Sequence, residues 1–195
     1  MDFLSSCQPY NQYLSELILR SDEELAQKAL HSSEAFAELY RRNLKAVYSY
    51  QLARVGNVHD AQDLTTQTFL AAQEGISSFR GQGKFAAWLM AIARRKSADY
   101  FRGKRSTLPL EKASQVADSS ITPEEFVNQQ FSLEQVAQAL RRLSPERAEA
   151  IALKIFAGLS VAETAQVMGK SEAAVKMLGC RALKDLRKYL ATTCE

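Results

Sequence analysis

The chain has 195 residues, 46% of them apolar and 24% charged, with a net charge of +3. That apolar content buries a core, which excludes global disorder, and the length suits one medium domain or two small ones. No apolar run nears the roughly 20 residues of a membrane span, and Asp2 with no basic segment after it argues against a signal peptide.

Helix signals recur along the chain and strand signals do not. Residues 1–20 read as an N-terminal extension. Ser21 and Glu24 form a capping box opening a short helix through Leu30. Phe36, Leu39, Tyr40, Val47, Tyr48 and Leu52 hold the 3.6-residue period over four turns, until Gly56 and Asn57 break it. Ala61, Leu64, Thr68, Phe69 and Ala72 mark a second long helix that ends near Gly75. Phe79 to Gly83 is a glycine-rich loop. Phe85, Trp88, Leu89, Ile92, Ala93 and Tyr100 mark a third helix, expected to run out at Gly103.

Residues 104–121 lose the period and gain Ser, Pro and Asp, the composition of a flexible linker. Thr122, Pro123 and Glu125 restart a helix by a capping box with proline in the first turn. Further helices are expected near 123–141, 145–157, 161–168 and 172–190. The expected fold is all-α. A helical domain over 21–103 and a second over 122–195 are joined by the linker 104–121.

The last two helices have helix-turn-helix spacing. Ser160 and Glu163 form a capping box, and Ser171 is placed to cap the second helix. Ala165 stands where two helices nearly touch, and Gly169 stands at a turn that needs positive φ. Val175, Leu178, Ala182 and Leu186 form the packed side of the second helix. Ser171 at its start, then Lys176, Met177, Cys180, Arg181 and Lys184, are the candidates for entering a DNA major groove. Lys176 and Arg181 suit guanine edges or phosphates, and Met177 a thymine methyl; Met177 and Cys180 equally suit space filling. Gly179 in mid-helix fits close approach of DNA, close approach of a second helix, or drift.

Charge is unevenly placed. Residues 80–105 carry eight Lys and Arg against one acid, and 134–195 carry ten against seven. An acidic stretch over 106–133 lies between, so two separate nucleic-acid contacts are expected. In the first, Arg94, Arg95, Lys96, Arg102, Lys104 and Arg105 present charge to phosphates, which hold a strand without reading it. Phe79, Arg80, Gln82 and Lys84 are candidates for a base-capturing loop, or Phe79 is ordinary core.

Two motifs then point to one family. FAAWLMAIARRKSADYFR (Phe85 to Arg102) resembles the promoter-melting segment of bacterial sigma factors, and DAQDLTTQTFLAAQ (Asp60 to Gln73) resembles the segment that docks on RNA polymerase. LSPERAEAIALKIFAGLSVAETAQVMGKSEAAVKMLGCRALKDL is similar to that family's C-terminal promoter-reading domain. The compact arrangement is that of the extracytoplasmic-function (ECF) class, over roughly Ser21 to Leu190. The chain departs from the family's pattern at Thr66, Gln67, Gln73, Arg95, Gly179 and Cys180.

The resemblance implies a sigma factor that binds RNA polymerase core. It would read the −35 element with the helix-turn-helix and open the −10 element with the first domain. It also implies docking of Asp60, Asp63, Gln67, Gln73 and Glu74 on the clamp coiled coil of the largest polymerase subunit; by charge alone this face is an ordinary solvated one. An anti-sigma factor as inhibitory partner and a cytoplasmic location, with tethering to the inner membrane through that partner, are implied too. The alternative is a dimeric helix-turn-helix repressor or activator that ignores polymerase.

Nothing points to an enzyme, a cofactor or a small-molecule substrate. His31 and His59 are the only histidines, and neither a catalytic trio nor a nucleotide fingerprint is recognisable. Cys7, Cys180 and Cys194 form no metal-ligand pattern, so no metal site is expected and free thiols fit a reducing compartment.

Overall fold

The computed structural model describes residues 16–81, 83–106 and 138–191. All regular elements among them are helical, as the patterning predicts. Helix α1 spans Asp22–Lys28 and begins with the expected capping box. Ser21 Oγ accepts from the Glu24 amide at 3.2 Å, and Glu24 Oε2 accepts from the Ser21 amide at 2.9 Å. Arg42 ties the segment before α1 to the next helix. Its guanidinium donates to the carbonyl oxygens of Leu17, Ile18 and Arg20 and to Asp22 Oδ1.

Helix α2, Ser33–Val55, starts at a Ser32 cap and stops at Gly56, whose φ of 67° few other residues tolerate. Helix α3, Val58–Glu74, is capped by Asn57 and leads into a 3-10 turn over Ile76–Ser78. Helix α4 spans Phe85–Ser106, with the Phe85 amide donating to Glu23 Oε1 at 3.2 Å. It does not run out at Gly103 as expected. The Lys104 ammonium lies 4.7 Å from the Tyr100 ring centroid and 3.5 Å from Asp60 Oδ2, and these contacts favour one more turn over the helix-breaking tendency of glycine.

The three long helices pack around Leu39, Val47, Tyr50, Phe69, Phe85 and Leu89, all buried. At their centre is a polar node. Gln51 of α2 donates to the Ala93 carbonyl of α4 and to Thr68 Oγ1 of α3, and accepts from Ser97 Oγ. A buried amide satisfied from two neighbouring helices fixes their relative register, because a slip would orphan it.

Helices α5 (Pro145–Ile155), α6 (Val161–Met168) and α7 (Glu172–Ala191) form the second domain. The helix-turn-helix signals all recur in the structure. Ser160 and Glu163 make a complete capping box, Gly169 has φ of 64°, and the Ala174 amide donates to Ser171 Oγ at 3.2 Å. Ala165, Val175 and Ala182 are buried between the helices, with Leu178 and Leu186 packed alongside.

The two domains lie against each other. Helix α2 contacts α5, α4 contacts α6, and the buried residues of both domains form one continuous cluster. The expected linker residues 107–121 and the capping box at Thr122 to Glu125 lie outside the described residues.

Candidate nucleic-acid interface

Helix α7 sets its packed side against α5 and α6, which turns the opposite face to solvent. Ser171, Lys176, Met177, Cys180, Arg181 and Lys184 are all exposed on it, Met177 by 52%. Three cationic side chains and a thioether on one outward helix face have the chemistry of a major-groove reader. Among the described residues, no atom beyond its own helix backbone lies within 4 Å of the position a Gly179 Cβ would take, so close approach of a second described helix does not explain it.

The first domain presents its cations along α4 and the loop before it. Arg80, Lys84, Arg95 and Arg102 are exposed. Arg102 pairs with its helical neighbour Asp99, at 2.8 Å, and both are largely solvated. Lys96 is half-buried. Gln82 and the side chain of Arg105 lie outside the described residues.

Two expected contacts are placed differently. Phe79 is 5% exposed and packs against Phe85 and Trp88 at centroid distances of 5.6 Å. It is core and not an exposed ring. Arg94 does not face outward alone. Its Nε donates to Glu149 Oε1 of α5 at 2.8 Å.

On α3, Asp63, Gln67, Gln73 and Glu74 are exposed, but Asp60 is half-buried. The Tyr100 hydroxyl donates to Asp60 Oδ2 at 2.5 Å and Lys104 Nζ approaches the same oxygen. Burial first, then this hydrogen bond, pushes the Tyr100 phenol up from its ordinary value, and the Tyr100 and Asp60 contacts raise Lys104.

The same face holds residues that the charge pattern did not single out. Leu70 is 55% exposed, and with Phe36, Tyr40, Thr66, Phe69 and Gln73 it lines an open cleft of about 180 Å³. The cue was present: Leu70 is an apolar residue on the polar side of the α3 period.

This geometry matches known proteins. Residues 39–107 match the family model Sigma-70 region 2, and residues 133–186 match Sigma-70, region 4. The chain belongs to the sigma-70 family. Within that family it is similar to the ECF RNA polymerase sigma factor BldN of Streptomyces coelicolor, 40% identical over 171 residues, which are 86% of this chain and 65% of that protein. It is also similar to RNA polymerase sigma factor NccH of Alcaligenes xylosoxydans xylosoxydans, 31% identical over 88% of this chain and 96% of the relative.

Among solved structures, CnrH in complex with the cytosolic domain of CnrY superposes with a TM-score of 0.70 at 27% identity, covering 89% of this chain and 99% of that one. The sigma factor RpoE in complex with the anti-sigma factor NepR from Bartonella quintana shares the fold, with a TM-score of 0.64 at 22% identity over 80% and 96% of the chains. As a sigma factor, the chain is regulatory in kind. Its region 2 corresponds to α2, α3 and α4, and its region 4 to the domain that carries the helix-turn-helix. No helix among the described residues is long and apolar enough to cross a membrane, and none of their His, Cys, Asp and Glu side chains cluster as a metal site.

Proposed function

We propose that this sigma factor binds RNA polymerase core and directs it to promoters. The C-terminal helix-turn-helix reads the −35 element, and the first domain engages and opens the −10 element. The observation that carries the reading is the pairing of two cationic surfaces in one chain, α7 in region 4 and the 80–102 ridge in region 2. Lys176, Arg181 and Lys184 meet duplex, with Ser171, Met177 and Cys180 beside them. Arg80, Lys84, Arg95, Lys96 and Arg102 hold backbone phosphates near the opened strand.

Docking on polymerase falls to the outer face of α3. Asp63, Gln67, Gln73 and Glu74 frame Leu70 and the cleft beside it, giving an apolar centre with a polar rim, the common anatomy of a protein interface. Asp60 is not part of this face, because its carboxylate is engaged by Tyr100 and Lys104. The partner is the clamp coiled coil of the largest subunit. An anti-sigma factor is the second partner. A protein of the same fold, RpoE, is described in complex with an anti-sigma factor, which fits a cytoplasmic protein held by such a partner, at the inner membrane where that partner is anchored there. No catalytic step belongs to the chain itself.

A dimeric repressor that ignores polymerase is not favoured, because such a protein has no use for region 2. Gel filtration of the chain with core polymerase tests the reading. Co-elution is expected; separate elution together with tight dimeric binding to duplex would favour the repressor.

A further inference from the structure

Two cations of the strand-opening surface face acids of the other domain. Arg94 of α4 donates to Glu149 of α5 at 2.8 Å; the Glu149 side chain is 11% exposed and that of Arg94 42%. The charge of Lys84 also acts across this boundary on Glu163 of α6. The Glu163 carboxyl is held below its ordinary range mainly by the amide of Ser160, and Lys84 adds to that. Two further arginines bridge the same boundary to neutral acceptors: Arg54 Nη1 donates to the Pro145 carbonyl at 3.2 Å, and Arg141 Nη1 to the Gly56 carbonyl at 3.4 Å.

This packed arrangement is too small to read both promoter elements at once. Elements centred near −35 and −10 lie about 25 base pairs apart, or ~85 Å along B-form DNA at 3.4 Å per pair. A compact chain of this length has a radius of gyration of about 16 Å and a diameter near 40 Å. The residues between Ser106 and Gln138 reach ~100 Å when extended, so the chain permits the domains to part.

We propose that Glu149 is an internal latch: in the free protein it occupies Arg94 in place of a DNA phosphate and holds the domains together in a closed form that cannot engage the promoter. The acidic residue serves as a stand-in for the nucleic-acid backbone. A partly buried ion pair is weak glue compared with apolar packing of the same volume, but removing one partner leaves the other uncompensated. That makes the contact easy to exchange for phosphate once polymerase separates the domains. The inference rests on the reading that the α4 ridge contacts promoter DNA.

The test uses the full-length chain without polymerase and a single-stranded DNA oligonucleotide of mixed sequence. Small-angle scattering reads the radius of gyration, and fluorescence anisotropy at several salt concentrations reads binding. Glu149→Lys, which sets two cations against each other, is expected to enlarge the radius, tighten oligonucleotide binding several-fold, and steepen its log–log salt slope by about 0.7 for each released phosphate contact. Glu149→Gln shifts the same quantities in the same direction by less. The double variant Arg94→Glu with Glu149→Arg is expected to restore the compact radius, which shows that the variants fold.

An unchanged radius in Glu149→Lys, with helical content intact by circular dichroism, would overturn the latch. An enlarged radius with unchanged oligonucleotide binding would overturn the claim that the closed form masks a DNA contact. Neither result bears on whether the chain binds core polymerase, which gel filtration decides separately.

Discussion

The Tyr100 hydroxyl of α4 donates to Asp60 Oδ2 of α3 at 2.5 Å, with Lys104 Nζ 3.5 Å from the same oxygen. An acid that looks like part of the polymerase-docking face therefore joins the docking helix to the strand-opening helix. Hydrogen bonds to charged groups contribute about 1.5–3 kcal/mol, and partial exposure places this one at the lower end. Tyr100→Phe keeps the ring beneath Lys104 and removes only the donor. It should lower unfolding stability by about 1.5 kcal/mol in urea titration while core affinity stays as in the wild type. A fall in core affinity with stability unchanged would return Asp60 to the docking face.

Leu70 should matter for docking and not for folding. It is 55% exposed at the rim of the cleft on α3. Leu70→Asp should weaken core binding by roughly tenfold or more, the scale of about 1.4 kcal/mol lost at an interface. The unfolding midpoint should move little, because the side chain is not in the core. Competition binding against wild-type chain measures the first, and thermal unfolding the second.

Much of this organisation is legible in the amino acids. Ser21 with Glu24 and Ser160 with Glu163 announce two helix starts by local chemistry alone, and Gly56 and Gly169 announce two stops through their positive φ. These are contacts within four residues, where sequence spacing dictates geometry. The pairings that reorganise the functional surface are not local. Glu149 lies 55 positions from Arg94, and Asp60 lies 40 from Tyr100. Charge counting places such residues on a surface without revealing which acid answers which base. Phe79 illustrates the same gap: glycine-rich neighbours make its loop read as open, whereas Phe85 and Trp88 bury it.

Acid should loosen the first domain through Glu38. The hydrogen bond from Arg41, followed by that from Arg42, lowers its carboxyl from 4.5 to about 2. A depressed carboxylate stabilises the fold above its unfolded value and loses that contribution as pH falls towards about 2. Stability should therefore decline between about pH 5 and 2. Glu38→Gln should flatten the decline and, with solvent screening of the exposed Arg41 partner, cost about 1 kcal/mol at neutral pH. Urea unfolding at a series of pH values checks both.

Alkali should act through Tyr50 and Tyr100. Burial is the main cause that pushes both phenols up, with the Glu149 charge adding for Tyr50 and the Asp60 hydrogen bond for Tyr100. Raised groups contribute stability that is intact below the ordinary phenol value near 10 and is lost as pH climbs through the folded one. Tyrosinate absorbance should show two late-titrating phenols whose ionisation coincides with loss of helical signal.

Gly179 should tolerate a methyl group. Among the described residues nothing beyond its own helix backbone lies within 4 Å of its missing Cβ, and glycine in a helix interior is about 1 kcal/mol less favourable than alanine. Gly179→Ala should raise unfolding stability by roughly 0.5–1 kcal/mol. Promoter binding in the presence of core then separates the remaining explanations: a loss shows that DNA approaches this backbone, and no change shows drift.

Core-dependent run-off transcription tests the central claim most directly. Core polymerase with this chain should initiate from a defined start on a cognate promoter fragment, core alone should not, and Arg181→Ala should abolish selectivity while leaving the chain bound to core. Tight binding of the chain to that duplex without core, with no transcript when core is added, would contradict the account.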